Sequence, residues 1–142
     1  MTPALRFFLF LCFAGAAAAQ PQAAPGDARF DGTWNVAIIC PKHTDGAFGY
    51  TYEFQAKVKD GRLRGEHGQE GRPSWLLLEG TLPADGNTML RAKGLTGDQK
   101  FNVGEVRSLV PYSYRATAHF DDARGSGKRI ELRACDLTFV KQ

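Results

Sequence analysis

Few residues in this chain are suited to chemistry. Among 142 residues there are three cysteines, three histidines and two methionines. His43, His67 and His119 have no short ligand spacing and no C-x-x-C pair exists, so no zinc or redox centre is encoded locally. The motifs G-x-S-x-G, H-E-x-x-H and the P-loop are missing too. With no nucleophile–base or acid–base pair in sight, the expectation is a non-catalytic protein with no cofactor and no metal. Charge of one sign is not in excess: 18 Lys and Arg face 15 Asp and Glu, a net +3, which argues against a nucleic-acid partner. No apolar run reaches the ~20 residues of a transmembrane helix, and nothing beyond residue 19 sustains a helical period. What is present is one domain's worth of ordinary sequence, 43% hydrophobic with 16 glycines and 7 prolines. That excludes a multidomain enzyme, a collagen-like chain and full disorder.

The beginning of the chain reads as an address. Arg6 is the one charge in the first 26 residues, and thirteen apolar residues, Phe7 to Ala19, follow it before Gln20-Pro21. A basic start, an apolar stretch and the small-residue end Ala17-Ala18-Ala19 are the three parts of a secretory signal peptide. The expected organisation is a signal peptide at 1–19, a loose Pro/Ala/Gly-rich arm at 20–28 and a single folded domain at 29–142. Such a protein is exported, to a periplasm or to the extracellular space, and keeps no transmembrane segment after cleavage. Cleavage removes Arg6 from the 18 basic residues, leaving 17 against 15 acidic ones and a net +2. Cys12 leaves as well. Cys40 and Cys135 remain, and in an oxidising compartment they are expected to pair.

Period-2 alternation runs through the remainder. Tyr50, Tyr52, Phe54, Ala56 and Val58 share one face, and Thr51, Glu53, Gln55, Lys57 and Lys59 the other, as in a half-buried strand. Asp60-Gly61 then supplies a two-residue hairpin turn, which sets Lys59 opposite Arg62, Val58 opposite Leu63, Ala56 opposite Gly65 and Phe54 opposite His67. The same reading predicts strands at Gly32–Cys40, Tyr50–Lys59, Arg62–His67, Ser74–Leu82, Thr88–Leu95 and Tyr112–Asp121. A last one covers Lys128–Lys141 and a weaker one lies between Lys100 and Val106. The fold class is therefore all-β: an eight-stranded antiparallel up-and-down meander closed into a small barrel, with first and last strands adjacent. If Cys40 faces Cys135, then Ile38 faces Leu137, Val36 faces Phe139 and Trp34 faces Lys141. Ile130, Leu132 and Ala134 have the opposite parity to that set, and a bulge near Ala134 is expected to reconcile them.

Asp31-Gly32-Thr33-Trp34 on the first strand resembles the Gly-x-Trp opening of lipocalins and the Gly-Thr-Trp of avidins. The resemblance implies a calycin-like barrel whose first-strand Trp packs near the closed end beside a basic residue of the last strand, here Lys141. The chain also resembles small secreted bacterial proteins. It carries none of avidin's further ligand-binding motifs and no other lipocalin signature, so biotin binding is not implied.

In this topology Asp60-Gly61, Pro83–Asn87 and the stretch around Arg107–Pro111 lie at one end of the barrel. Pro41–Gly49, Gly68–Pro73, Leu95–Gln99 and Asp121–Gly127 lie at the other, which is the expected mouth. Gly125-Ser-Gly127-Lys128 lacks the first glycine of a P-loop and reads as a hairpin turn, and Asp121-Asp122 as solvated. His119 reads as exposed and His67 as turned inward. Small barrels of this size are filled by side chains or hold one small ligand. A cavity near the mouth lined by Tyr52, His67, Trp75 and Phe120 is the candidate binding site for a small apolar or amphipathic molecule. The alternative is a protein-interaction or inhibitor module that uses loops around a solid barrel. Arg62, Arg64, Arg115, Arg129 and Arg133 are expected on solvated strand faces, too dispersed for a polyanion site. An outer-membrane barrel is disfavoured because most strands fall short of the ~9–11 residues needed to span a bilayer. The sequence names neither the small molecule nor a protein partner, and encodes no legible oligomeric state. Intact-mass measurement of the exported protein without reductant checks the address and the pairing together. The expected product starts near Gln20 and has no alkylatable thiol; two free thiols would contradict the bridge.

Overall fold

The computed structural model describes Gln20 and residues 22–142. The leader expected at 1–19, with Cys12, lies outside the described residues. Eight strands follow in order: β1 (Gly32–Cys40), β2 (Tyr50–Lys59), β3 (Arg62–His67), β4 (Leu76–Thr81), β5 (Asn87–Leu95), β6 (Pro111–Phe120), β7 (Arg124–Arg129) and β8 (Cys135–Lys141). Each pairs antiparallel with its neighbours and β8 returns to β1, closing a barrel. The closing register is the expected one, with Trp34 opposite Lys141, Val36 opposite Phe139 and Ile38 opposite Leu137. One step further along, Cys40 and Cys135 are joined by a disulfide across a sequence separation of 95.

The closed end is built around the Asp31–Trp34 segment. Asp60 and Gly61 both adopt positive φ, 52° and 68°, as the tight turn requires, and the Lys59–Arg62, Val58–Leu63 and Ala56–Gly65 pairs form as read from the sequence. Asp31 accepts hydrogen bonds from both turn amides at 2.9 Å, and those two bonds hold its carboxyl below the usual range. A Cβ on Gly61 would fall 2.2 Å from Asp27 N, so the chain before β1 passes directly over the turn. Gly26 and Asp27, in the expected arm, are thus tied to the barrel, with Asp27 N donating to Leu82 O at 2.8 Å. Trp34 is fully buried. Its indole N–H donates to Phe30 O at 2.9 Å, its ring meets Phe120 edge-on at 5.4 Å, and Lys141 Nζ lies 5.9 Å from its centroid. Phe120 also packs on Phe139 at 4.6 Å. This half of the barrel is filled with side chains.

Two expected elements differ, and the differences compensate in number. Lys100–Val106 is no strand but part of two short 3-10 turns, Gln99–Phe101 and Val103–Glu105, with Gly104 and Glu105 both at positive φ. The single last strand expected over Lys128–Lys141 is instead β7 and β8, separated by a turn at 130–134 in which Leu132 has φ 67°. That turn, not a bulge near Ala134, reverses the parity. Gly125-Ser-Gly127 is strand rather than turn, because the glycines face the barrel interior: a Cβ on Gly125 would sit 2.7 Å from the Phe120 ring.

Removing one strand before Tyr112 inverts the direction of the strand that follows. The link between β5 and β6 therefore lies wholly at the mouth, Arg107–Pro111 included. The hairpin at 121–123 lies at the closed end with Asp60-Gly61. The expected solvated positions of Arg129 and Arg133 are likewise corrected: both are 6% exposed, whereas Ile130 and Leu132 are 54% and 66% exposed. The apolar residues were the outward ones because the chain turns there, and a turn has no period-2 faces.

Outside, β2, β3, β5 and β6 present Lys57, Lys59, Arg62, Arg64, Arg91, Lys93 and Arg115 to solvent, with cross-strand pairs such as Lys128–Asp136 at 2.7 Å. Exposed pairs of this kind add little stability, but an apolar interior beneath a charged wall is the reverse of a transmembrane barrel. Among the described residues no helix is long and apolar enough to cross a membrane. The closing disulfide is expected to be a large single contribution, since it restricts a long loop in the unfolded chain. Replacing both cysteines by serine should lower the unfolding free energy by about 2–5 kcal/mol in urea titration. An unchanged midpoint would show that the β1–β8 seam needs no covalent tie.

Candidate functional site

Four connections meet at the mouth: 41–49, 68–75, 96–110 and 130–134. The longest folds on itself because small polar side chains satisfy its backbone. Thr96 and Val110 close its base, with Thr96 N donating to Val110 O at 3.0 Å. Thr96 Oγ1 donates to Arg107 O at 2.6 Å, Ser108 Oγ to Gly97 O at 2.6 Å and Asn102 Nδ2 to Val106 O at 2.7 Å. The result is a compact loop whose ends are close and whose interior is its own side chains.

Its neighbours hold this loop over the barrel. Phe48 N donates to Lys100 O at 2.9 Å, and the Phe48 and Phe101 rings meet edge-on at 6.1 Å. Asp45 accepts from Gly104 N at 2.8 Å and from Ala47 N at 3.0 Å, with His43 Nδ1 at 2.8 Å. The Gly104 and Ala47 amides and then His43 hold the Asp45 carboxyl down at about 2. Arg133 clasps two of the other connections at once, donating from Nη1 to Phe101 O at 3.0 Å and from Nη2 to Pro41 O and Phe48 O. Its guanidinium also lies 5.2 Å from the Tyr50 ring.

Beneath the loop is a cavity of about 440 Å³. Phe101, Val103, Val106, Val110 and Leu132 line it from the loops, and Tyr50, Tyr52 and Tyr112 from the strands, with Arg129 and Arg133 at β7 and beyond. The surface is mainly apolar with a few hydrogen-bonding groups, the usual composition of a small-molecule site. Burial pushes the Tyr52, Tyr112 and Tyr114 phenols up from their ordinary value, so they stay protonated and can donate. Arg129 stacks over the Tyr114 ring at 3.9 Å and donates from Nε to Glu131 O at 2.9 Å. Among the described residues no group of three or more His, Cys, Asp or Glu is placed to hold a metal ion. The arrangement offers an apolar wall, phenolic donors and a cation.

Of the four residues expected to line the mouth, Tyr52 does. His67 lies behind it, stacked on the Tyr52 ring at 3.9 Å with Nδ1 donating to Ser74 O at 2.9 Å, so it supports the wall rather than forming it. Trp75 is buried at the end of the 68–75 connection and does not line the cavity. Phe120 is at the opposite end, packed on Trp34. It was placed at the mouth only through the extra strand, which reversed the direction of β6. Arg129 and the loop residues were missed. A signal for Arg129 did exist: Gly125 and Gly127 share its parity, and both are inward positions of β7, opposite Phe139 and Leu137 of β8.

The Asp45 contact is testable through pH. A carboxyl whose folded pKa of about 2 lies below its ordinary 3.8 stabilises the fold above pH about 4. That contribution is lost as pH falls through about 2. Asp45→Asn should cut the amide protection factors of Ala47 and Gly104 by roughly tenfold or more at neutral pH while leaving the barrel strands unchanged, as read by hydrogen exchange. Equal protection in both proteins would mean that the loop is held without Asp45.

No family model matches the sequence, and neither a curated protein nor a solved structure matches it significantly. The mouth cavity, and not a relative, is what function has to be inferred from.

Proposed function

We propose that this is an exported, non-catalytic binding module of calycin-like architecture that holds a small apolar or amphipathic molecule at the barrel mouth. The observation that carries it is the roofed cavity of about 440 Å³, a volume within the ~300–1,000 Å³ of typical ligand sites. The calycin-like reading is supported by the buried first-strand Trp34 with Lys141 of the last strand beside it. Export is supported by the Cys40–Cys135 bridge, which an oxidising compartment preserves. Because Trp34, Phe120 and Phe139 fill the lower barrel, the ligand is held under the mouth loops and not along the whole axis.

A second reading has its own support. Phe48, Leu109 and Leu132 on the mouth loops are 52%, 51% and 66% exposed, and an apolar rim of this kind also suits a protein partner or an inhibited target. The two readings separate on whether the cavity itself is used. The neutral fluorescent probe N-phenyl-1-naphthylamine should bind saturably, one per chain, with enhanced emission. Val103→Trp and Val110→Trp, which place an indole in the cavity, should each weaken it at least tenfold. Saturable binding untouched by either change would move the site to the exposed rim.

A further inference from the structure

The cavity contains a buried guanidinium whose terminal nitrogens no described residue satisfies: Glu131 is near enough to feel its charge but does not pair with it. Arg129 is 6% exposed and lines the cavity, yet among the described residues no carboxylate pairs with it. Glu131, the acid nearest in sequence, is committed elsewhere: it accepts from Arg115 N at 2.9 Å and from Arg115 Nε at 2.7 Å on the outer face. Asp98, the acid on the cavity rim, accepts from Lys100 N at 3.1 Å and pairs with Lys100 Nζ at 3.4 Å. Arg133, buried to the same extent, has already spent its terminal nitrogens on three loop carbonyls. Arg129 has not. Its Nε is bonded to Glu131 O and one face rests on Tyr114, which orients the plane. Among the described residues its Nη1 and Nη2 have no hydrogen-bond partner, although neither is sealed off as Arg133 Nε is.

A guanidinium edge held in a fixed plane is a bidentate receptor for a planar anion. Removal of a charge from water without a partner is costly, and a counter-ion brought by a ligand relieves that cost. The surrounding wall is apolar and offers phenolic hydroxyls. Its second guanidinium, Arg133, also lacks a carboxylate partner among the described residues, but its terminal nitrogens are engaged by backbone carbonyls. The edge of Arg129 is therefore the one left to receive a planar head such as a carboxylate.

We propose that the mouth cavity selects amphiphiles bearing a carboxylate head, that Arg129 pairs with this head, and that the loop residues cover the apolar tail. The proposal rests on the binding reading above and deepens it. Decanoate and 1-decanol, matched in tail and differing in head, test it by displacement of N-phenyl-1-naphthylamine at pH 7.5. Wild-type protein should prefer decanoate by roughly tenfold to a hundredfold, the range for a hydrogen bond to a charged group. Arg129→Met, which keeps the length and removes the charge, should bring the two to within about twofold by weakening decanoate far more than decanol. Equal affinities in wild type overturn the carboxylate proposal and spare the cavity reading, and this comparison needs no variant to fold. Preference for decanoate that survives Arg129→Met overturns the role of Arg129. Displacement by neither compound, with no probe binding to begin with, overturns the cavity reading itself.

Discussion

The seam between β1 and β8 is the constraint from which the rest follows. A meander of eight strands becomes a barrel only if its ends meet with both apolar faces turned inward, because slipping the register by one residue would put every side chain on the wrong face. Here the register is held at both ends of the seam. Trp34, Phe30 and Lys141 lock the closed end, and the Cys40–Cys135 bridge ties the mouth end. Between them Val36, Ile38, Leu137 and Phe139 are all nearly inaccessible. Once closed, the barrel has no free edge to pair with other chains.

Closure also divides the molecule into two regimes. At the closed end the turns are as short as two residues and large aromatic rings meet small neighbours, so the interior is solid. At the mouth the longer connections cannot bury enough apolar surface to fill the space beneath them, and they are held by polar contacts instead. Asp45 and Arg133 satisfy backbone groups from more than one loop, which keeps the roof in place while leaving a void below it. The same end therefore carries both the ordered polar clasp and the unpaired guanidinium of Arg129.

The parts legible in the sequence were those governed by local rules. Alternation from Tyr50 to Val58, the Asp60-Gly61 turn and the parity of Cys40 with Cys135 gave β1 to β5 and the closing register. The reading failed where the period broke. Lys100–Val106 carries only a weak alternation, which two short 3-10 turns produce as readily as a strand, and Gly125-Ser-Gly127 has the composition of a turn because glycines usually mark one. In the barrel Gly125 makes room for Phe120, and Gly127 lies close against Thr117 O and Ala118. The candidate site suffered more than the fold, since each strand's direction decides which of its ends reaches the mouth. Tyr52, on a correctly placed strand, lines the cavity. Phe120, on a strand read upside down, lies at the other end.

By itself the sequence determined an all-β chain, its first five strands, its hairpin register and the Cys40–Cys135 bridge, because these depend on neighbours two residues apart or on parity alone. Only the tertiary structure decided that Arg129 is buried, that 96–110 is a roof and that the mouth is hollow. A charged side chain enters an interior, and a loop spans a void, only when contacts from distant segments make that arrangement the stable one. Glu131 occupied by Arg115, Tyr114 beneath the guanidinium and Arg133 across three loop carbonyls are such contacts. None of them leaves a period in the sequence.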